Sequence, residues 1–99
     1  MELTPEELTG IYTWVDEIPL SRPKKNIARD FSDGVLAAEV VSYYCPRLVD
    51  IHNYSAANSL AQKMYNWSTL NERVFKHFNL QLSKEDISAV AGAQPLVIE

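Results

Sequence analysis

Cysteine is almost absent from this chain: Cys45 stands alone among 99 residues, so no internal disulfide can form. An unbridged domain of this length fits a reducing, intracellular compartment. Glycine is scarce too. Gly10, Gly34 and Gly92 lie too far apart to build a phosphate-cradling loop, which argues against nucleotide binding. No run approaches the roughly eighteen consecutive apolar residues of a membrane-spanning helix. The amino terminus, Met1-Glu2-Leu3-Thr4-Pro5-Glu6-Glu7, is acidic where a signal peptide is basic. Neither export nor a membrane partner is expected, so the sequons at Asn53-Tyr54-Ser55 and Asn66-Trp67-Ser68 carry no weight as glycosylation sites.

Catalytic material is thin as well. No serine sits in a nucleophile elbow, and His52 and His77 offer little for a triad. Cys45, Asp50 and His52 are close in sequence but lack the further ligands of structural zinc. Cys45 therefore reads as a small buried hydrophobe at a helix end. The expectation is a binding module, not an enzyme, with no cofactor and no metal.

What the chain does have is enough apolar content to fold. Hydrophobic residues make up 46% and charged residues 22%, a balance outside the disordered class, and the length suits one domain over residues 1–99. Thr4-Pro5-Glu6-Glu7 combines a capping box with proline at the first helical position. Leu8, Ile11, Tyr12 and Val15 then form a helical stripe that ends before Pro19. Pro19 to Asp30 reads as a long connection with one turn near Ile27.

Ser32-Asp33-Gly34 opens a helix that is apolar nearly all round through Tyr43 and Tyr44, as a central element would be. Leu60, Met64, Trp67, Leu70, Val74 and Phe78 predict the longest helix, of roughly five turns. Ser83-Lys84-Glu85-Asp86 caps another, which Gly92 ends. Pro95-Leu96-Val97-Ile98 begins like a further helix that Glu99 leaves incomplete. Trp14 and Trp67 fall on apolar stripes and are expected in the core, Trp14 at the edge of its stripe. No strand is convincing. The fold class is all-α: a compact bundle of four to five helices, with long central helices joined by extended connections.

Charge is unevenly spread. The net value is −4, yet no acidic residue lies between Glu17 and Asp30, where Arg22, Lys24, Lys25 and Arg29 supply +4 and leave the remainder at −8. A localised basic segment can steer even an acidic domain toward a negative partner. By itself such a run is more often solvated surface, or a neighbour to carboxylates such as Asp30 and Asp33. Pro19 and Pro23 favour a binding role, because a stiff loop loses less entropy when a partner immobilises it.

An early helix with Trp14-Val15, then Phe31-Ser32-Asp33-Gly34-Val35-Leu36, then a long helix with Asn66-Trp67 resembles the calponin-homology domain. The stretch from Tyr12 to Gly34, with Asn58-Ser59-Leu60-Ala61-Gln62-Lys63 and Asn66-Trp67-Ser68, is similar more narrowly to the sperm flagellar (CLAMP) family of such domains. That resemblance covers nearly the whole chain. It implies a ciliary or flagellar protein whose calponin-homology domain binds microtubules and whose carboxy-terminal region, absent from these residues, forms a dimerising coiled coil. The domain itself is expected to be a monomer.

The basic positions that match the family, Arg22, Lys24, Lys25, Arg29 and Lys63, become candidate contacts with tubulin, with Ile18 and Leu20 as apolar anchors. Tyr44-Cys45 and the stretch from Gln81 to Ala93 depart mildly from the family. Competing readings are an actin-binding domain, although strong actin binders of this superfamily usually pair two domains, and a scaffold that binds another protein through the apolar tail. Nucleic acid is not an expected partner, since the aromatics lie at core spacing.

Overall fold

Capping chemistry decides where this chain turns helical. In the computed structural model, which describes residues 3–22 and 26–99, α1 spans Pro5–Asp16. The Glu7 amide donates to the Thr4 hydroxyl at 3.1 Å and the Thr4 amide to the Glu7 carboxylate at 3.0 Å, forming the predicted capping box. A single turn, α2, spans Ile27–Asp30 and is capped by the Asn26 side chain. The central helix α3 covers Val35–Tyr44, and the longest, α4, covers Leu60–Arg73 behind a Ser59 cap. The last helix, α5, covers Lys84–Ala91 behind a second capping box, from Ser83 and Asp86. Five α-helices, two short 3-10 turns and no strand make up the regular structure among the described residues.

The stripe predicted to run as one helix to Phe78 changes winding at Val74. A 3-10 turn follows over Phe75–Phe78, and Asn79 closes it in the left-handed region at φ 56°. Neighbouring residues on a regular helix point about 100° apart, which is 3.6 residues per turn; here Val74 and Phe75 are both buried, and the tighter turn accompanies that pairing.

Two apolar clusters form the core. The larger gathers Ala38, Trp67, Leu70, Ile87 and Val90 from α3, α4 and α5, with Val74 at the carboxyl cap of α4. The smaller joins Val15 of α1, Phe31 and Leu36, with Ile11, Leu20 and Ile27 packed against it. Leu36 and Leu70 are fully enclosed, and each such side chain contributes about 1.5–3 kcal/mol by leaving water.

Several positions differ from the sequence expectation. Trp67 is core, but Trp14 is exposed, because its edge position on α1 turns it past the smaller cluster. Tyr43 and Tyr44, at the carboxyl end of α3, are also exposed. Leu60 and Phe78, at the two ends of the predicted stripe, are about half exposed.

The tail at residues 95–97 is a turn and not the start of a helix: Leu96 sits at φ 71°. Ile98 packs against both clusters, and Glu99 accepts the Tyr12 hydroxyl at 2.6 Å. Reaching the seam between the clusters takes precedence over continuing as a helix.

Candidate partner-binding site

The basic connection leaves α1 at Glu17 and returns to the core at Phe31. Its first residues face inward. Ile18 is only 3% exposed, and Leu20 is half-buried against the smaller cluster. The expectation that these two serve as surface anchors is thus corrected for Ile18, which has no face to present. The alternation that puts Ile18 and Leu20 inside leaves Pro19 and Ser21 exposed.

Two carboxylates then fasten the segment. Ser21 donates both its amide, at 2.8 Å, and its hydroxyl, at 2.5 Å, to Glu39 on α3. The Arg22 Nη2 atom reaches both oxygens of Asp33, at 3.1 and 3.3 Å. Asp33 is buried, whereas Arg22 keeps 38% of its side chain in solvent. Lys24 and Lys25 lie outside the described residues. Beyond them the chain is fastened again: the Asn26 amide donates to Asp30 at 3.0 Å, and the Asn26 side chain accepts the Arg29 amide at 3.2 Å. The Arg29 side chain is exposed and forms no ion pair among the described residues.

Asp33 is also the centre of a larger junction. Its carboxylate accepts the Val35 amide at 3.0 Å, capping α3, and the Ala57 amide at 3.2 Å. Its carbonyl accepts the Asn66 side-chain amide at 2.8 Å, and the same nitrogen donates to the Ser55 carbonyl at 2.8 Å. Gln62 donates to the remaining Asn66 oxygen at 3.2 Å. Next along α4, the Trp67 indole N–H donates to the Ser32 carbonyl at 2.8 Å.

Gly34 makes this approach possible. It opens α3 at φ 82°, and a Cβ there would stand 3.3 Å from the Asn66 Cβ. That is a conformation and a distance that favour glycine. Buried polar groups are tolerated when every partner is in place, and here each one is.

Lys63 lies three residues before Asn66 on α4, half-buried, so the junction ties its helix to the basic connection. Sequence reasoning singled out Asp33 and Asn66-Trp67 as a pattern but did not assign them this bracing role. Ser21 and Glu39 carried no signal, since their partnership spans 18 residues and matches no local motif. Asp50 of the Cys45, Asp50 and His52 trio accepts the His52 amide at 3.1 Å, as the cap of a 3-10 turn.

This bundle, with its Asp-Gly opening of the central helix braced against Asn-Trp on the long helix, is a calponin-homology-type domain, and comparison with known proteins agrees. Residues 11–99 match the model of the family described as the CH-like domain in sperm protein, and the chain belongs to that family. It is 50% identical over all 99 residues to sperm flagellar protein 1 of Xenopus laevis. It is 51% identical over 94 residues, or 95% of its length, to the proteins of that name from Bos taurus and Homo sapiens. The chain spans 43% of the Xenopus protein and 40% of each mammalian one.

Proposed function

We propose that this domain is a non-enzymatic cytoskeletal module that binds and stabilises microtubules in cilia or flagella, through Arg22, Lys24, Lys25, Arg29 and Lys63. The observation that carries this reading is the +4 segment on a domain whose remainder is −8, fastened on both sides of Lys24-Lys25. A cationic segment whose flanking residues are fastened meets an acidic polymer with less loss of entropy than one free at both ends, and the field of the patch steers the encounter. The relatives' name supports the setting, because a flagellar axoneme is built of microtubules. Within the site the roles divide. Arg29 and the lysines face the polymer, while Arg22, held on buried Asp33, chiefly sets the path of the loop.

Co-sedimentation with microtubules and with actin filaments, at two salt concentrations, tests the proposal. The domain should pellet with microtubules at low salt and less at high salt, as screening weakens exposed charge pairs. Pelleting with actin alone would overturn the reading. Replacing Lys24 and Lys25 together by glutamate should abolish pelleting with thermal stability unchanged. A single domain binds weakly, and pairing through a coiled coil in the longer protein would raise avidity through effective concentration.

A further inference from the structure

Trp14, Tyr43 and Tyr44 form a connected aromatic ladder on the surface where α1 meets the carboxyl end of α3. The Trp14 indole stacks on the Tyr44 ring with centroids 6.0 Å and planes 15° apart. Its Nε1 donates to the Tyr44 hydroxyl at 2.8 Å. Tyr43 meets Tyr44 edge-on at 4.9 Å. These contacts fix the rings and satisfy the indole N–H, yet Trp14 remains 43% exposed and each tyrosine 53%. Trp14 also lines an apolar groove of about 410 Å³, with Ile11, Ile27, Val40, Val97 and Ile98 among its walls. A contiguous exposed apolar surface of this kind marks an interaction site more often than chance scatter does.

Two neighbouring features narrow the partner. Gly10 sits one turn before Trp14, on the same side of α1, and nothing lies within 4 Å of where its Cβ would stand. Glycine weakens a helix interior, and here it leaves the approach to the indole open. Glu7 and Glu17 share that face at helical spacing, and α1 with its carboxyl cap carries Glu6, Glu7, Asp16 and Glu17 without one cation. Arg47, three residues past Tyr44, is the cation nearest in sequence to the ladder.

We propose that this ladder docks an extended peptide of a partner protein that carries prolines together with arginine or lysine. Proline rings stack on flat aromatic faces, and the polyproline II conformation presents them with little entropy to lose. Cationic side chains are drawn to the electron-rich ring faces and to the carboxylates beside them. A second copy meeting ladder to ladder would oppose like charges. The three ladder residues lie outside Ser21 to Arg29, although the groove beside them reaches Ile27 of that segment, so peptide binding and microtubule pelleting are read in separate assays.

Intrinsic fluorescence tests the proposal, because Trp67 is only 2% exposed and iodide-quenchable emission therefore reports Trp14. The probe is a synthetic peptide of repeated Pro-Pro-Arg, compared with its Pro-Pro-Glu counterpart. The arginine peptide should give a saturable change and protection from iodide, with affinity at least on the order of ten-fold above the glutamate peptide, since charge complementarity selects between them. Tyr43→Ala, which keeps the reporter and lies at the open end of the ladder, should weaken binding several-fold.

No saturable change, equal affinity for the two peptides, or undiminished binding by Tyr43→Ala would each overturn the proposal. A concentration-dependent dimer of the free domain that dissolves on Trp14→Ala would make a second copy the occupant and overturn it equally. Microtubule pelleting should survive Tyr43→Ala, and its loss would merge the ladder with the polymer face and defeat the assignment to a separate peptide.

Discussion

The junction at Asp33 and Asn66 and the ladder at Trp14, Tyr43 and Tyr44 break the inside-outside rule in opposite directions. The first buries a carboxylate and an amide; the second leaves three aromatic rings in water. At the junction the cost is offset within the fold, since every carboxylate and amide group there has a partner. At the ladder the rings cover one another only in part, and about half of each stays exposed. A buried polar group with all its bonds made is architecture. An ordered aromatic surface left half exposed is the place where the proposed peptide would dock.

Mutations can break this contrast, most sharply at the junction. Asp33→Ala removes the cap of α3 and the acceptor of the Ala57 amide together, and a lost cap with a buried donor left unpaired costs on the order of 3 kcal/mol. For a domain of this length the melting temperature should fall by on the order of 15 °C, read by circular dichroism. A fall no larger than that of Tyr43→Ala would show the two regions to be alike. Gly34→Ala should cost about 1–2 kcal/mol from the left-handed backbone alone, with pressure on Asn66 in addition.

Arg22→Ala should cost less than about 1 kcal/mol, because the guanidinium is partly solvated and screened. It should weaken microtubule pelleting through loop placement, and Arg22→Lys should restore part of that loss. Tyr43→Ala should shift stability by less than about 0.5 kcal/mol, as surface changes generally do, while reducing peptide binding.

The smallest effect concerns pH. Donation to the Glu99 carboxylate, followed by desolvation and the charge of that carboxylate, raises the Tyr12 hydroxyl above its ordinary value of 10.0. The folded value is the higher one, so the contribution is fully present below pH 10 and is lost as pH rises through the folded value. Tyr54 is also raised, chiefly by burial, and adds its own loss of stability in alkali. Comparing wild type with Tyr12→Phe isolates the first group: the stability gap between them should close on passing to strongly alkaline buffer.

What was legible in the sequence is what depends on near neighbours. Thr4 with Glu7, and Ser83 with Asp86, are caps set by spacing of three, and both stand as read. The stripe from Met64 to Val74 follows the helical period because α4 has one covered side. Other features depend on distant partners. Ile18 looked available because the connection has no period, but the smaller cluster draws it in. Tyr43 and Tyr44 looked buried because the apolar run of α3 continues through them, yet both are exposed. Pro95 announced a helix, and the seam that receives Ile98 made it a turn. At the candidate site the uneven charge was legible in full, whereas the clamps from Glu39 and Asp33 were not, since they join residues 18 and 11 positions apart.

The indole bonded to Ser32 has a consequence for measurement. Its proton, with the Asn66 amide proton given to Asp33, is shielded behind contacts that span 33 to 35 residues, so it should exchange with deuterium only when the whole domain opens. The Trp14 indole proton, held on the surface by Tyr44 alone, should exchange within local fluctuations. A single proton spectrum would thus carry two clocks, one timing the survival of the fold and the other the occupancy of its aromatic face.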